Sequence, residues 1–286
     1  ALAVNDTWLR RCDHGQFFTS DVFTDRGVPY TTLFAGIPDT YDNLFYKSRY
    51  AFHHIKSNMN VNFDWYLKAD DDTFVIVENL KKYLHTLDPR QPYYVGFRLK
   101  PYLEHGYNGG GAGYVLSREA LRLFDLYAYP NETACPDDRY EDVGIARCLA
   151  SLNIFPHKTL TSLGQQRFNS HRPDEIINGF QAGPDWFLDP FMKGMEAIPS
   201  DLVSFHHLTP DEIRLFEVLL YRNNRFKGGK HGFKDNLRLT TYDDALVAAI
   251  KEQPEATTRE LASNLGTSHP TIARHLRDLG YRTVLA

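Results

Sequence analysis

The run Phe63-Asp64-Trp65-Tyr66-Leu67-Lys68-Ala69 stops at Asp70-Asp71-Asp72, and this junction constrains the fold more than any other part of the chain. Aromatic and aliphatic residues suit a pleated, half-buried surface, so the run predicts a strand. The acidic triplet then lies at a strand end, the usual place for ligands in open α/β sheets. Phe74-Val75-Ile76-Val77 leads on into a helix through Leu84.

The rest of the chain reads in the same α/β idiom. Gln16 to Thr19 and Val28 to Leu33 predict short strands, Asn43 to Ile55 a helix that packs on a sheet, and Tyr93 to Phe97 a further strand. Ser117 caps a helix over Arg118 to Tyr127, and a polar turn at Asp137 to Tyr140 precedes a second helix over Val143 to Leu152. Prolines and glycines make the region after Leu163 loop-rich. Order returns with a strand over Leu202 to His207 and a helix that Thr209-Pro210 opens and that runs to about Tyr221. Lys227 to Gly232 has linker composition, and beyond it the chain turns alanine-rich and helical. The expected organisation is one α/β domain over 1–226, a linker over 227–240 and a small helical unit over 241–286, within the reach of 286 residues.

A net charge of -4 leaves no global positive field to attract nucleic acid. No apolar run approaches the roughly 18 residues that span a bilayer. The chain begins at Ala1 without a signal-like segment, so it is either soluble as written or separated from its targeting segment. Three cysteines allow one disulfide, and Cys135 and Cys148, flanking a short polar loop, are the natural pair, which leaves Cys12 over. Asn5-Asp6-Thr7 and Asn131-Glu132-Thr133 are glycosylation sequons that suit a secretory protein.

Strand-end geometry sends Asp70 and Asp72 to one side, where they can cage a divalent cation that neutralises a diphosphate. His206 follows the apolar Leu202-Val203-Ser204-Phe205 run and can complete the coordination with an imidazole nitrogen, which suits manganese better than calcium. Glu141-Asp142 opens a helix, whose N-terminus would keep a carboxylate ionised, as a general base requires. Gly109-Gly110-Gly111-Ala112-Gly113 lets backbone approach a ligand or a neighbouring strand closely. Each element has a plainer reading: a solvated acidic turn or calcium loop, a structural histidine, an N-cap, a surface loop.

Together, Trp65 to Thr73, Lys100-Pro101-Tyr102, Gly110 to Ser117, Glu141-Asp142-Val143 and Ser204-Phe205-His206 resemble the core 1 β1,3-galactosyltransferases, a group related to the Fringe-like transferases. The resemblance runs from about Asn5 to Arg222. It implies an α/β, GT-A-type fold, UDP-galactose as donor, a GalNAc-bearing glycoprotein as acceptor, Mn2+ as cofactor and inversion at the anomeric carbon. By position it implies Asp70, Asp72 and His206 as metal ligands and Asp142 as the base. Lys47, Asp70, Asp71, His206 and His207 become nucleotide contacts, and Trp186 an acceptor contact. It further implies a Golgi-lumenal, type II membrane protein whose anchor and opening strand precede Ala1, and it leaves a homodimer open.

The tail resembles a different family. Helical patterns over Asp243 to Gln253, Thr257 to Gly266 and Ser268 to Gly280 look like the second helix-turn-helix of mariner-type transposases, with Ser268, His269, Thr271 and Arg274 toward a DNA groove. Two alternatives therefore stand beside the transferase: a DNA-binding protein acting through this tail, and an inactive relative of the transferase.

Overall fold

The computed structural model describes residues 1–24, 27–59, 62–179, 184–222 and 258–265. The chain divides into two units, Ala1–His207 and Leu208–Ala286. In the first, helix α1 (Leu2–Asp6) precedes two short parallel strands, β1 (Phe17–Phe18) and β2 (Tyr30–Thr31), at the expected apolar pairs. Helix α2 (Leu44–Ser57) turns Phe45 and Phe52 inward. The aromatic run becomes β3 (Trp65–Lys68), followed by β4 (Phe74–Val75), α3 (Val77–Leu84), β5 (Tyr94–Val95), β6 (Arg98–Leu99) and β7 (Tyr107–Asn108). After the glycine-rich stretch come β8 (Tyr114–Ser117), α4 (Arg118–Leu123), α5 (Glu141–Ala150), β9 (Pro156–His157), α6 (Pro173–Asn178) and β10 (Ser204–Phe205).

A mixed four-stranded sheet of order β3-β8-β5-β9 carries the core. β8 runs antiparallel to β3, with Trp65 opposite Ser117 and Lys68 opposite Tyr114, and antiparallel to β5; β9 joins β5 in parallel. All four residues of β8 are buried, as a strand flanked on both sides requires. Phe45 and Phe52 of α2, Leu121 of α4 with the adjoining Phe124, and Ile145 and Leu149 of α5 pack with Tyr94, Tyr114 and Leu116 of the sheet. The closeness of α2 and α5 depends on Gly144, where an added Cβ would fall 2.4 Å from the Phe45 ring. Tyr94 survives in this interior because Asn108 matches it: the Asn108 N–H donates to its hydroxyl at 3.2 Å and the Asn108 amide donates to its carbonyl at 3.3 Å.

Ser117 caps α4 as its position predicts, its hydroxyl accepting the Ala120 N–H at 3.1 Å and donating to the Gln91 carbonyl at 2.7 Å. Beyond Leu123 the winding widens to a π-turn over Phe124–Ala128. The Cys135–Cys148 disulfide is present. One expectation gains a detail and another needs correction. The stretch after Leu163 is not all loop: Pro173 at the first helical turn, Glu175 accepting the Arg172 N–H at 2.9 Å, and Gly179 at φ +82° delimit α6. The strand expected over Leu202 to His207 pairs only at Ser204–Phe205, because Val203 bonds the Arg167 carbonyl and Ile76 instead of a ladder partner.

In the second unit, α7 (Pro210–Glu217) opens with a reciprocal cap: Thr209 accepts the Glu212 N–H at 3.3 Å, and Glu212 accepts the Thr209 N–H at 2.7 Å. A π-turn, Val218–Arg222, extends it, and α8 (Thr258–Asn264) falls inside the helix expected over Thr257 to Gly266. The linker, the other two helices of the tail, and Ser268, His269, Thr271 and Arg274 lie outside the described residues.

Candidate active site

The register of one strand pair assembles the acidic and imidazole groups. β10 runs antiparallel to β4 with Phe205 opposite Phe74. His206 and His207 directly follow β10, and Asp72 and Thr73 directly precede β4, so the antiparallel pair brings these two strand ends together. The pleat expected to align Asp70 and Asp72 is absent; a turn replaces it, closed by the Thr73 N–H on the Asp70 carbonyl at 3.3 Å. The carboxylates still converge: His206 Nε2 is 3.1 Å from Asp72 Oδ1 and 3.8 Å from Asp70 Oδ2, and His207 Nδ1 is 4.0 Å from Asp72 Oδ2.

Asp72, His206 and His207 each offer a ligand atom, all within 4.8 Å of one another. His206 Nδ1 faces the Ser170 carbonyl at 3.4 Å, which leaves Nε2 as the ring nitrogen turned to the carboxylates. A ring nitrogen and a carboxylate oxygen 3.1 Å apart share either a proton or a cation, so the donor set fits a divalent ion. Mixed carboxylate and imidazole donors suit a first-row transition metal. Asp70 stands slightly off, since Lys68 Nζ holds its other oxygen at 2.5 Å. The bond from His206 is the main cause that lowers the Asp72 pKa, against partial burial.

The glycine-rich stretch joins this cluster to the second carboxylate site. Gly110 to Ala112 form a single 3-10 turn. An added Cβ at Gly111 would lie 2.0 to 2.4 Å from the His206 ring, and one at Gly110 would lie 2.8 Å from Glu141 Oε2 and 3.6 Å from Asp142 Cβ. Two adjacent residues without side chains therefore separate the imidazole from the head of α5. Thr73 and Ser204 fix the turn by donating to the Gly111 and Ala112 carbonyls at 2.7 and 2.6 Å.

Asp142 sits in the first turn of α5, its two oxygens accepting the Gly110 N–H at 3.1 Å and the Val143 N–H at 2.9 Å. Burial and the neighbouring Glu141 charge raise its pKa despite those bonds and Lys68. The pull of the helix N-terminus toward the ionised form is thus opposed by burial and by the Glu141 charge. Glu141 is buried and accepts the Tyr114 hydroxyl at 2.7 Å. Lys68 spans the two halves, 2.5 Å from Asp70 and 3.5 Å from Glu141, over the Tyr114 ring. Burial works against its charge, but Glu141 and Asp70 outweigh it and raise its pKa. Only a lone cation inside an aromatic strand signalled Lys68 in the sequence, and nothing signalled its two partners.

The other expected contacts are dispersed around this centre. Lys47 is buried on α2, its ammonium 2.6 Å from Asp39 and 3.3 Å from the Ser20 hydroxyl. Asp71 points outward, 70% exposed, and meets the Ala1 nitrogen at 2.9 Å. Asp70 and Asp71 also border a cavity of about 600 Å3, largely apolar, that includes Trp8, Phe17, Phe63 and Tyr66 in its lining. Trp186 is half-exposed and meets Tyr102 edge-on at 6.4 Å; Tyr102 in turn stacks on Tyr140 at 5.6 Å. Three partly exposed rings thus lead to a point two residues before Asp142. Tyr102 reaches this stack from φ +71°, a backbone state its side-chain type gives no hint of.

Residues 2–172 match the family described as Fringe-like. The chain is 30% identical over 227 residues to glycoprotein-N-acetylgalactosamine 3-beta-galactosyltransferase 1 of Xenopus laevis, across 77% of this chain and 62% of that protein. It is 29% identical over 170 residues to chondroitin sulfate synthase 3 of Homo sapiens, covering 52% of this chain and 18% of that protein. It is 26% identical over 157 residues to a beta-1,3-glucosyltransferase of Mus musculus, covering 53% and 30% respectively. The chain therefore spans less than two thirds of the length of each of these relatives.

Proposed function

The chain belongs to the Fringe-like family, and from that premise we propose that it is an inverting, metal-dependent glycosyltransferase with a GT-A-type fold. Its donor is UDP-galactose, and its acceptor is the 3-hydroxyl of GalNAc on Ser or Thr of a glycoprotein. The likeness to a glycoprotein-N-acetylgalactosamine 3-beta-galactosyltransferase supports this choice of sugars. The Golgi lumen is the compartment this reading implies. No helix among the described residues is long and apolar enough to cross a membrane.

One observation carries the reading: an acidic-imidazole cluster and a half-buried carboxylate of raised pKa flank the same two glycines. Asp72 and His206, with Asp70 and His207 beside them, are the residues that would hold Mn2+. When bound, the ion supplies positive charge against the diphosphate leaving group.

The chain's own residues supply the rest. Asp142 Oδ2 takes the proton from the acceptor hydroxyl as the acceptor oxygen bonds the anomeric carbon. The bond from that carbon to the diphosphate oxygen breaks in the same displacement, and UDP leaves with the electron pair. A raised pKa makes Asp142 a stronger base once ionised, and the Gly110 N–H keeps its oxygen in place. Lys68 couples the orientation of Asp70 to the head of α5 through Glu141. The Trp186, Tyr102 and Tyr140 rings offer apolar faces on which an acceptor sugar can stack.

The test is transfer from UDP-galactose to a GalNAc-O-peptide with manganese present, read as a galactose linked β1,3 to GalNAc. The expected result is transfer by the unmodified protein. Binding of UDP-galactose without transfer to any GalNAc acceptor would overturn the acceptor assignment.

A further inference from the structure

The two sequons of the chain are equivalent as motifs and opposite as structures. Asn5 lies within α1, 6% exposed, and spends its amide on the Gly27 carbonyl at 3.3 Å. Asn131 lies in the exposed segment between the π-turn and the disulfide. Its backbone N–H donates to the Ala128 carbonyl at 3.0 Å, and its carbonyl accepts the Cys135 N–H at 2.8 Å, so the main chain there is fixed. Its side-chain Oδ1 accepts the Thr133 and Ala134 N–H groups at 3.0 and 3.2 Å, which closes an Asx turn. With Oδ1 held inward, Nδ2 makes no hydrogen bond among the described residues and faces solvent next to the exposed Thr133.

We propose that Asn131 carries an N-linked glycan and that Asn5 does not, because Asn131 presents a free amide nitrogen on a fixed, solvent-facing turn while Asn5 is buried and bonded. In the attachment step Nδ2 loses a proton to a base and bonds the anomeric carbon of the first sugar. The bond from that carbon to a lipid pyrophosphate breaks, and the lipid pyrophosphate leaves with the electron pair. A glycan on Asn5 would have to displace the packing around Ala3, Val4 and Trp8, all buried. One on Asn131 extends into water.

The inference rests on passage through a secretory lumen, part of the reading above, so the experiment supplies that compartment. The full chain is sent into the secretory pathway of a eukaryotic cell behind a cleavable leader, recovered, and treated with a peptide-N-glycosidase. One glycan should be removed, leaving aspartate at position 131 by mass spectrometry. Asn131→Gln should abolish the shift and Asn5→Gln should leave it. Thr133→Ala, which keeps the backbone N–H of the Asx turn but removes the sequon hydroxyl, should also abolish it, and so separates loss of the sequon from loss of the fold. An unglycosylated chain, a shift that survives Thr133→Ala, or a glycan mapped to Asn5 overturns the proposal. Galactose transfer is assayed on the same preparations, so a glycosylated but inactive chain counts against the transferase reading and leaves the glycan site standing.

Discussion

Asp142 gives up solvation to stand beside Glu141, and this sets a pH signature. Only the ionised carboxylate can accept a proton. A pKa raised above the ordinary carboxylate value therefore moves the acid limb of kcat/KM upward, and transfer should fall away at a higher pH than an unperturbed aspartate would set. Asp142→Asn should reduce turnover ~10²–10⁴-fold while UDP binding persists; equal loss of both would assign the residue to binding instead. Gly111 makes a second prediction. Its φ is ordinary, so Gly111→Ala suffers only from the Cβ that would overlap the His206 ring, and His206 is too enclosed to swing aside freely. The cost should be ~1–3 kcal/mol by thermal or urea unfolding. Adding His206→Ala should recover most of that stability without restoring metal affinity. Asp70, Asp72, Asp142 and His206 were legible as candidates because each sits at an element end, a position that pattern reveals. The tie of Lys68 to Glu141 was not, because a lone lysine in a strand carries no sign of a partner 73 residues further along the chain.

At the scale of elements, three pieces far apart in sequence hold the centre together: the β4–β10 pair, the Gly110–Ala112 turn and the head of α5. The disulfide serves the last of these. Cys148 lies in α5 and Cys135 thirteen residues earlier, so the bridge closes the loop that presents Tyr140, Glu141 and Asp142. Closing a loop of this length contributes ~3 kcal/mol in the chain-entropy picture. Replacing both cysteines with serine should lower stability by about that amount and depress transfer through a looser α5 head. A double variant as stable and as active as the parent would show that packing alone positions α5. Sequence patterning located α2, α5 and the strands β3 and β5, where apolar patterning is continuous. It passed over α6, whose Pro173 and Gly179 read as loop residues though they act as helix start and stop. It also lengthened β10, since nothing in Leu202-Val203 discloses that their backbone bonds go to loops and to Ile76.

Across the whole molecule, the acidic-imidazole cluster that would neutralise a diphosphate lies on one side of the glycine turn and the carboxylate proposed as base on the other, with the aromatic rings near Asp142 open for an acceptor. The fold class was legible from alternation of strand and helix patterns, whereas the meeting of residues 70–72 with 206–207 depended on a strand register that no periodicity encodes. The most direct test is UDP-galactose binding and galactose transfer measured on chelator-treated protein before and after Mn2+ is added back, with His206→Ala alongside. Chelation should abolish transfer and weaken binding, Mn2+ should restore both, and His206→Ala should require far more Mn2+ or fail to respond. Binding and transfer that are indifferent to chelation, or a His206→Ala protein with the parent's Mn2+ response, would contradict the account.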